Sequence, residues 1–156
     1  MTVRLPPFQA LLDAHRTEVL RFLVALVGPQ EAEDCFQETF LAALRAYPKV
    51  RNANNLRGWL LTIAHRKAMD HHRARARRPE PVDPVPDRDA TPSPEVEPAL
   101  WEAVRGLPPR QRTAIVARYV GDLPYREVAR IAGGTEEAAR RNAADGLATL
   151  REEWGR

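Results

Sequence analysis

Four cations, Arg57, Arg66, Lys67 and Arg73, recur at helical spacing in one apolar-periodic segment, with Asp70 the one acidic residue among them. A row of guanidinium and ammonium groups pairs with phosphates. Trp59 beside them offers a ring on which an unpaired base can stack, although it also fits the inner, apolar stripe. An amide-rich loop with Asn52, Asn54 and Asn55 precedes the row. The segment before that loop has the opposite character. Its outward side carries Glu31, Asp34, Gln37, Glu38, Leu41 and Arg45, a mixed acidic and apolar face that is either solvated or meets a basic partner. Near the C-terminus, Thr135, Glu136 and Glu137 lead into Arg140, Arg141 and Asn142. Arginine and asparagine suit base edges and backbone, and a glutamate can accept from cytosine N4.

Other chemistry is poorly represented. The chain has no phosphate-cradling glycine loop, no nucleophile elbow and no HExxH pattern, so an enzyme is not expected. His65, His71 and His72 lack the cysteine or carboxylate cluster that would complete a metal site, and no cofactor is implied. Cys35 is the only cysteine and lies on an apolar stripe, which makes it a buried structural thiol and excludes an internal disulfide.

Helices must position these groups. Phe8, Leu11, Leu12, His15, Val19, Phe22, Leu23 and Leu26 recur at three-and-four spacing until Gly28-Pro29 ends the first helix. Ala32, Cys35, Phe36, Thr39, Phe40, Ala43, Leu44 and Tyr47 repeat the pattern up to Pro48. Leu56, Trp59, Leu60, Ile63, Ala64 and Ala68 form the inner stripe of a third helix, which runs into the basic end His71-His72-Arg73-Ala74-Arg75-Ala76-Arg77-Arg78. Four shorter helices are expected further on, at about 99–106, 110–120, 125–132 and 136–153. The last two are joined by Gly133-Gly134-Thr135, with Thr135 placed to cap the final helix. Helix, short glycine turn, helix is the outline of a helix-turn-helix.

Between the two sets, residues 79–98 read PEPVDPVPDRDATPSPEVEP and hold seven of the fourteen prolines. Proline fixes φ and removes a donor, so no regular element runs through them. The fold class expected is all-α: two small helical domains, 1–78 and 99–156, joined by a Pro-rich acidic linker, 79–98. Charge follows the same division. Residues 1–78 carry 13 basic and 7 acidic groups, net +6; residues 79–98 carry 1 and 6, net −5; residues 99–156 carry 10 and 8, net +2. Basic faces favour polyanions. No apolar stretch is long enough to span a membrane, and the N-terminus lacks a signal-peptide core, so a cytoplasmic location without a membrane partner is expected.

The run Glu31-Ala32-Glu33-Asp34-Cys35-Phe36-Gln37-Glu38-Thr39-Phe40-Leu41-Ala42-Ala43 resembles the polymerase-binding helix of bacterial sigma factors. Gly58-Trp59-Leu60-Leu61-Thr62-Ile63-Ala64-His65-Arg66-Lys67-Ala68-Met69-Asp70 is similar to the −10 reading and melting helix of that family. Leu107-Pro108-Pro109-Arg110-Gln111-Arg112, Arg118-Tyr119-Val120 and Leu123-Pro124-Tyr125-Arg126-Glu127-Val128-Ala129 resemble its −35 reading domain. Two domains and a short spacer match the extracytoplasmic-function (ECF) group of the sigma-70 family. The resemblance implies a factor that binds core RNA polymerase at its clamp and directs promoter-specific initiation. It assigns the polymerase contact to Asp34, Gln37, Glu38 and Leu41, and the −10 contact to Asn52, Asn54, Asn55, Arg57, Arg66, Lys67 and Arg73. The −35 contact falls to Thr135, Glu137, Arg140, Arg141 and Asn142, and an anti-sigma factor is a further candidate partner. Where the family commonly has Arg-Asn-Leu-Ala, this chain has His65-Arg66-Lys67-Ala68. Two rival readings stand beside it: a stand-alone helix-turn-helix regulator, and a sigma-like interaction module held by a partner.

Overall fold

A computed structural model describes residues 5–77 and 98–154. The first helix, α1 (Phe8–Val27), ends where Gly28 adopts φ +88° and its N–H bonds back to the Val24 carbonyl at 2.9 Å. That left-handed conformation suits glycine. Pro29 then opens α2 (Pro29–Ala46) at a position where a missing N–H costs nothing. Glu31 in the first turn of α2 and Arg45 in its last both complement the helix dipole. The Thr39 hydroxyl donates to the Cys35 carbonyl at 2.6 Å, which satisfies a polar group buried in the core.

Two short 3-10 turns, Tyr47–Lys49 and Ala53–Asn55, lead to α3 (Leu56–Ala76). Asn55 caps α3 by accepting from the Gly58 N–H at 3.1 Å. The three helices pack on one another through Val19, Phe22, Leu23 and Leu26 of α1, Ala32, Cys35, Phe40 and Ala43 of α2, and Leu60, Leu61, Ala64 and Ala68 of α3. Each fully buried leucine or phenylalanine contributes on the order of 1.5–3 kcal/mol. One end of this set is closed by rings: Phe8 lies 5.3 Å from Tyr47 and 6.3 Å from Phe40, centroid to centroid. Trp59 is half-buried against Tyr47 at 6.1 Å, and the Tyr47 hydroxyl donates to the Pro6 carbonyl. Leu44 departs from the expected inner stripe. At 51% exposure it lies on the outside of α2, because the stripe centres on Ala32, Phe40, Ala43 and Tyr47 and leaves position 44 on its flank.

The second set comprises α4 (Pro98–Arg105), α5 (Pro109–Ile115), α6 (Tyr125–Ala132) and α7 (Glu136–Trp154). The expected α-helix over 110–120 is helical throughout but changes type. After Ile115 the chain makes a π-helical turn, Val116–Val120, closed by the Gly121 N–H on the Val116 carbonyl at 2.9 Å. A Cβ at position 121 would come within 2.8 Å of the Ala117 carbonyl oxygen, so the close of this turn requires glycine. Asp122 follows with φ +52°. Thr135 caps α7 as expected, its hydroxyl accepting from the Ala138 N–H at 3.0 Å. Gly146 sits where α7 crosses α5, and a Cβ there would meet Ile115 Cγ1 at 2.9 Å.

The expected linker, 79–98, lies outside the described residues apart from Pro98, which opens α4. The two helix sets touch. The α1 helix packs on α4 and on the π-helical turn, and α3 meets α6. Arg105 reaches the Val24 carbonyl at 3.4 Å, His65 Nε2 lies 3.0 Å from Thr113 Oγ1, and Arg57 donates to the carbonyls of Gly121 and Asp122.

Candidate functional site

Seen along the axis of α2, successive residues advance about 100°. On that wheel Leu44, Gln37, Leu41 and Asp34 fall side by side on one flank, outside the stripe that faces α1 and α3. All four are exposed, with Leu41 at 54% and Leu44 at 51%. Two leucines interleaved with an amide and a carboxylate form a face that can bury apolar area while pairing a charge, the composition of a protein-binding patch. Glu38 lies farther round, towards α3. Its carboxylate is 3.4 Å from His71 Nε2, while Glu31 is 3.8 Å from His71 Nδ1 and 2.9 Å from Arg75. Glu31, Glu38, Lys67, Asp70, His71 and Arg75 thus line a charged groove between α2 and α3. Of the four expected polymerase contacts, Asp34, Gln37 and Leu41 share one flank. Glu38 borders it through the groove.

The cations of α3 divide in the same way. Arg66 is exposed; Lys67 is half-buried in the acidic groove; Arg73 is exposed and paired with Asp70. Arg57 is the most engaged of the four. Its guanidinium lies 3.0 Å from Glu18 of α1 and donates to the Gly121 and Asp122 carbonyls of the second helix set. The amide loop is likewise used locally. Asn52 accepts from the Asn54 N–H at 2.9 Å and Asn55 caps α3, while Asn54 and Asn55 help to line a groove of about 410 Å³ with Leu11, His15 and Arg57.

In the second set, Glu137, Arg140 and Arg141 are exposed on the outer face of α7, and Asn142 is half-buried. The Thr135 hydroxyl is occupied as the cap. Arg140 pairs with Glu136 one turn back at 2.7 Å, and its guanidinium carbon lies 5.3 Å from the centroid of the Tyr125 ring. Arg118, from the π-helical turn, lies 5.0 Å from the same ring and donates to the Leu123 carbonyl at 3.0 Å. Sequence reasoning passed over Leu44, Arg118 and Tyr125 as functional positions. Leu44 was hidden by its place at the edge of an apolar stripe. The other two meet only through the tertiary fold.

Burial sets the protonation of the groups behind these faces. It lowers the pKa of His65 to about 4, helped by the positive charge of Arg112, so this imidazole is neutral at ordinary pH. His72 is lowered too, by burial and then Arg112, against its hydrogen bond with the Leu26 carbonyl. Burial, with the carboxylate of Glu38 next, pushes the Cys35 thiol up to about 12. No cluster of histidine, cysteine and carboxylate able to hold a metal ion occurs among the described residues.

Two family descriptions match the two helix sets in order: Sigma-70 region 2 over residues 11–78 and Sigma-70, region 4 over residues 98–150. The chain is 30% identical to the RNA polymerase sigma factor CarQ of Myxococcus xanthus, over 95% of this chain and 89% of that protein. It is 30% identical to the probable ECF RNA polymerase sigma factor SigI of Mycobacterium tuberculosis, matching 88% of this chain but 52% of that longer protein. The fold is shared with the sigma factor RpoE in complex with the anti-sigma factor NepR from Bartonella quintana. There the TM-score is 0.75 at 22% identity, covering 93% of this chain and 94% of that one. The chain belongs to the ECF group of the sigma-70 family of RNA polymerase sigma factors. Its function is that of a sigma factor: promoter-specific transcription initiation, with core RNA polymerase and promoter DNA as partners. Among the described residues no helix is long and apolar enough to cross a membrane.

Proposed function

We propose that the work of initiation is divided between the two helix sets, the first taking core polymerase and the −10 element and the second taking the −35 element. The observation that carries this is the exposed flank of α2, where Asp34, Gln37 and Leu41 stand together with Leu44 beside them. This flank docks on the polymerase clamp, with Glu38 at its border held by His71. Arg66, Lys67 and Arg73 of α3 take phosphates around the −10 element. Asn54, Asn55 and Arg57 line the groove in which an extruded base is held, and Asn52 shapes the loop beside it by accepting from the Asn54 N–H. Extruding a base costs a few kcal/mol, repaid by pocket contacts and neutralised phosphates. Arg140, Arg141 and Asn142 read the −35 element, with Thr135 fixing the start of their helix and Glu137 available to a cytosine. The protein works in the cytoplasm as a binding factor without catalytic residues of its own.

The test is direct binding of core polymerase, with run-off transcription from genomic promoter fragments. Asp34→Lys and Leu41→Glu alter exposed positions, so thermal stability stays within about 0.5 kcal/mol. Core affinity falls at least about fivefold in each variant, since a well-packed apolar contact and its neighbouring charge are each worth about 1 kcal/mol or more. Unchanged affinity in both variants refutes the placement of the clamp contact. A chain that binds promoter DNA tightly without ever binding core is instead a stand-alone regulator. A second reading, an anti-sigma partner covering the same flank, is favoured by the two exposed leucines. It is tested by recovery of core binding when a co-purifying protein is removed.

A further inference from the structure

We propose that Tyr125 is a positioning residue for DNA recognition: its ring seats the guanidinium of Arg140. This rests on the reading above that α7 meets the −35 element. Arg140 is exposed on α7, and a long side chain in that position samples many rotamers unless something holds it. Two groups hold it, in different ways. Glu136 takes one in-plane N–H donor, on an Nη, at 2.7 Å, a donor that a phosphate or a guanine edge would use. Tyr125 takes the cation through its π-cloud, with 5.3 Å between guanidinium carbon and ring centroid, and consumes no N–H. The carboxylate of Glu136 is about half exposed, so its pairing is weak and is exchanged for DNA at little cost. The ring contact survives that exchange.

The ring is itself fixed. Tyr125 is half-buried at the start of α6, directly after the Leu123-Pro124 turn. Arg118, tethered to the Leu123 carbonyl at 3.0 Å, sits 5.0 Å from the same ring. The π-helical turn, α6 and α7 therefore converge on one aromatic side chain. An arginine ordered before contact loses less conformational entropy on binding, and its direction selects which base edge it meets.

The experiment uses the full chain reconstituted with core polymerase and a pool of duplex DNA with a randomised core, selected first by the wild-type holoenzyme. Binding to the selected duplex is then measured for Tyr125→Phe, Tyr125→Leu, Arg140→Ala and the Tyr125→Leu/Arg140→Ala double variant. Tyr125→Phe keeps the π-face and binds as wild type. Tyr125→Leu weakens binding by roughly two- to fivefold, the scale of one exposed cation–π contact. It also blurs base preference at the position Arg140 reads. In the Arg140→Ala background the same change costs nothing further, because the group being seated is gone. Tyr125→Met, apolar and flexible but without a ring, runs in parallel should the leucine variant fail to fold. An equal loss in both backgrounds overturns the proposal, since the ring would then act only on folding. Wild-type binding by Tyr125→Leu with impaired Arg140→Ala overturns the positioning role and leaves the −35 reading intact. Wild-type binding by Arg140→Ala overturns both.

Discussion

Replacing Gly146 with alanine sets two known effects against each other. In an open helix the change gains about 1 kcal/mol, because glycine loses more backbone entropy than alanine. In α7 the new methyl would stand 2.9 Å from Ile115 Cγ1, 3.3 Å from its Cδ1 and 3.5 Å from Gln111 Cβ. Ile115 is 5% exposed, and a β-branched residue in a helix has essentially one rotamer, so its side chain cannot swing aside. Overpacking of this kind costs about 1–3 kcal/mol. Since the nearest atom is the methylene bonded to Cβ rather than the free end of the side chain, the cost belongs in the upper part of that range. Gly146→Ala is therefore expected to destabilise the protein by about 1–2 kcal/mol net, or lower Tm by several degrees. Denaturant titration near 15 °C, close to maximum stability, measures it. Ile115→Ala alone costs about 2–5 kcal/mol. In that background the clash is absent and Gly146→Ala becomes neutral or stabilising by up to about 1 kcal/mol, a coupling of about 1–3 kcal/mol between the two positions. A single Gly146→Ala variant more stable than wild type would show that α5 and α7 are farther apart than described. Equal effects in both backgrounds would remove Ile115 as the cause.

Three other expectations follow from separate features. Gly133→Ala, at the C-terminal cap of α6, meets no atom within 4 Å, yet φ is +77°, so it should lose about 1–3 kcal/mol through backbone strain alone in unfolding experiments, and wild-type stability would refute that strain. His65, flanked by Arg112, His72 and Arg66, has a folded pKa of about 4 below an unfolded value near 6.5. Its contribution is whole above pH 6.5 and lost as pH falls towards 4, by up to about 3 kcal/mol; a His65→Gln variant should show a flatter stability profile, and an unchanged slope would count against the buried neutral ring. Cys35 is buried with its thiol pushed up to about 12, so a thiol reagent should label it only at the rate of unfolding, whereas prompt labelling of native protein would contradict its place in the core.

The helices were legible because their apolar period and their breakers agree. Gly28-Pro29 punctuates α1 and α2, and Thr135 opens α7 where its side chain could cap. Asn55 carried the same kind of signal: an asparagine directly before the first apolar residue of a helix is an N-cap, and the structure uses it so. Local rules could not show the π-helical turn, because Val116–Val120 has ordinary helix formers and the change of type depends on Gly121 closing onto Val116. Nor could they show that Arg57 would pair with Glu18 and with carbonyls more than sixty residues away. On the α2 flank, charge and period mark an outward face of Glu31, Asp34, Gln37, Glu38, Leu41 and Arg45, and only the family resemblance singles out Asp34, Gln37, Glu38 and Leu41 within it. Leu44 was read as core because residue type was allowed to outweigh its angle on the wheel.

The π-helical turn also sets a phase. Such a turn is an α-helix carrying one residue more than its hydrogen bonds need. Removing a residue from 116–120 would let ordinary α-helical bonding run on from α5, and each later group would arrive about 100° round the axis from where it now stands. The Gly121 carbonyl, which now receives Arg57, would turn away from it. The length of this turn thus sets which way the Gly121 and Asp122 carbonyls face, and with it whether Arg57 of the first helix set can reach the second.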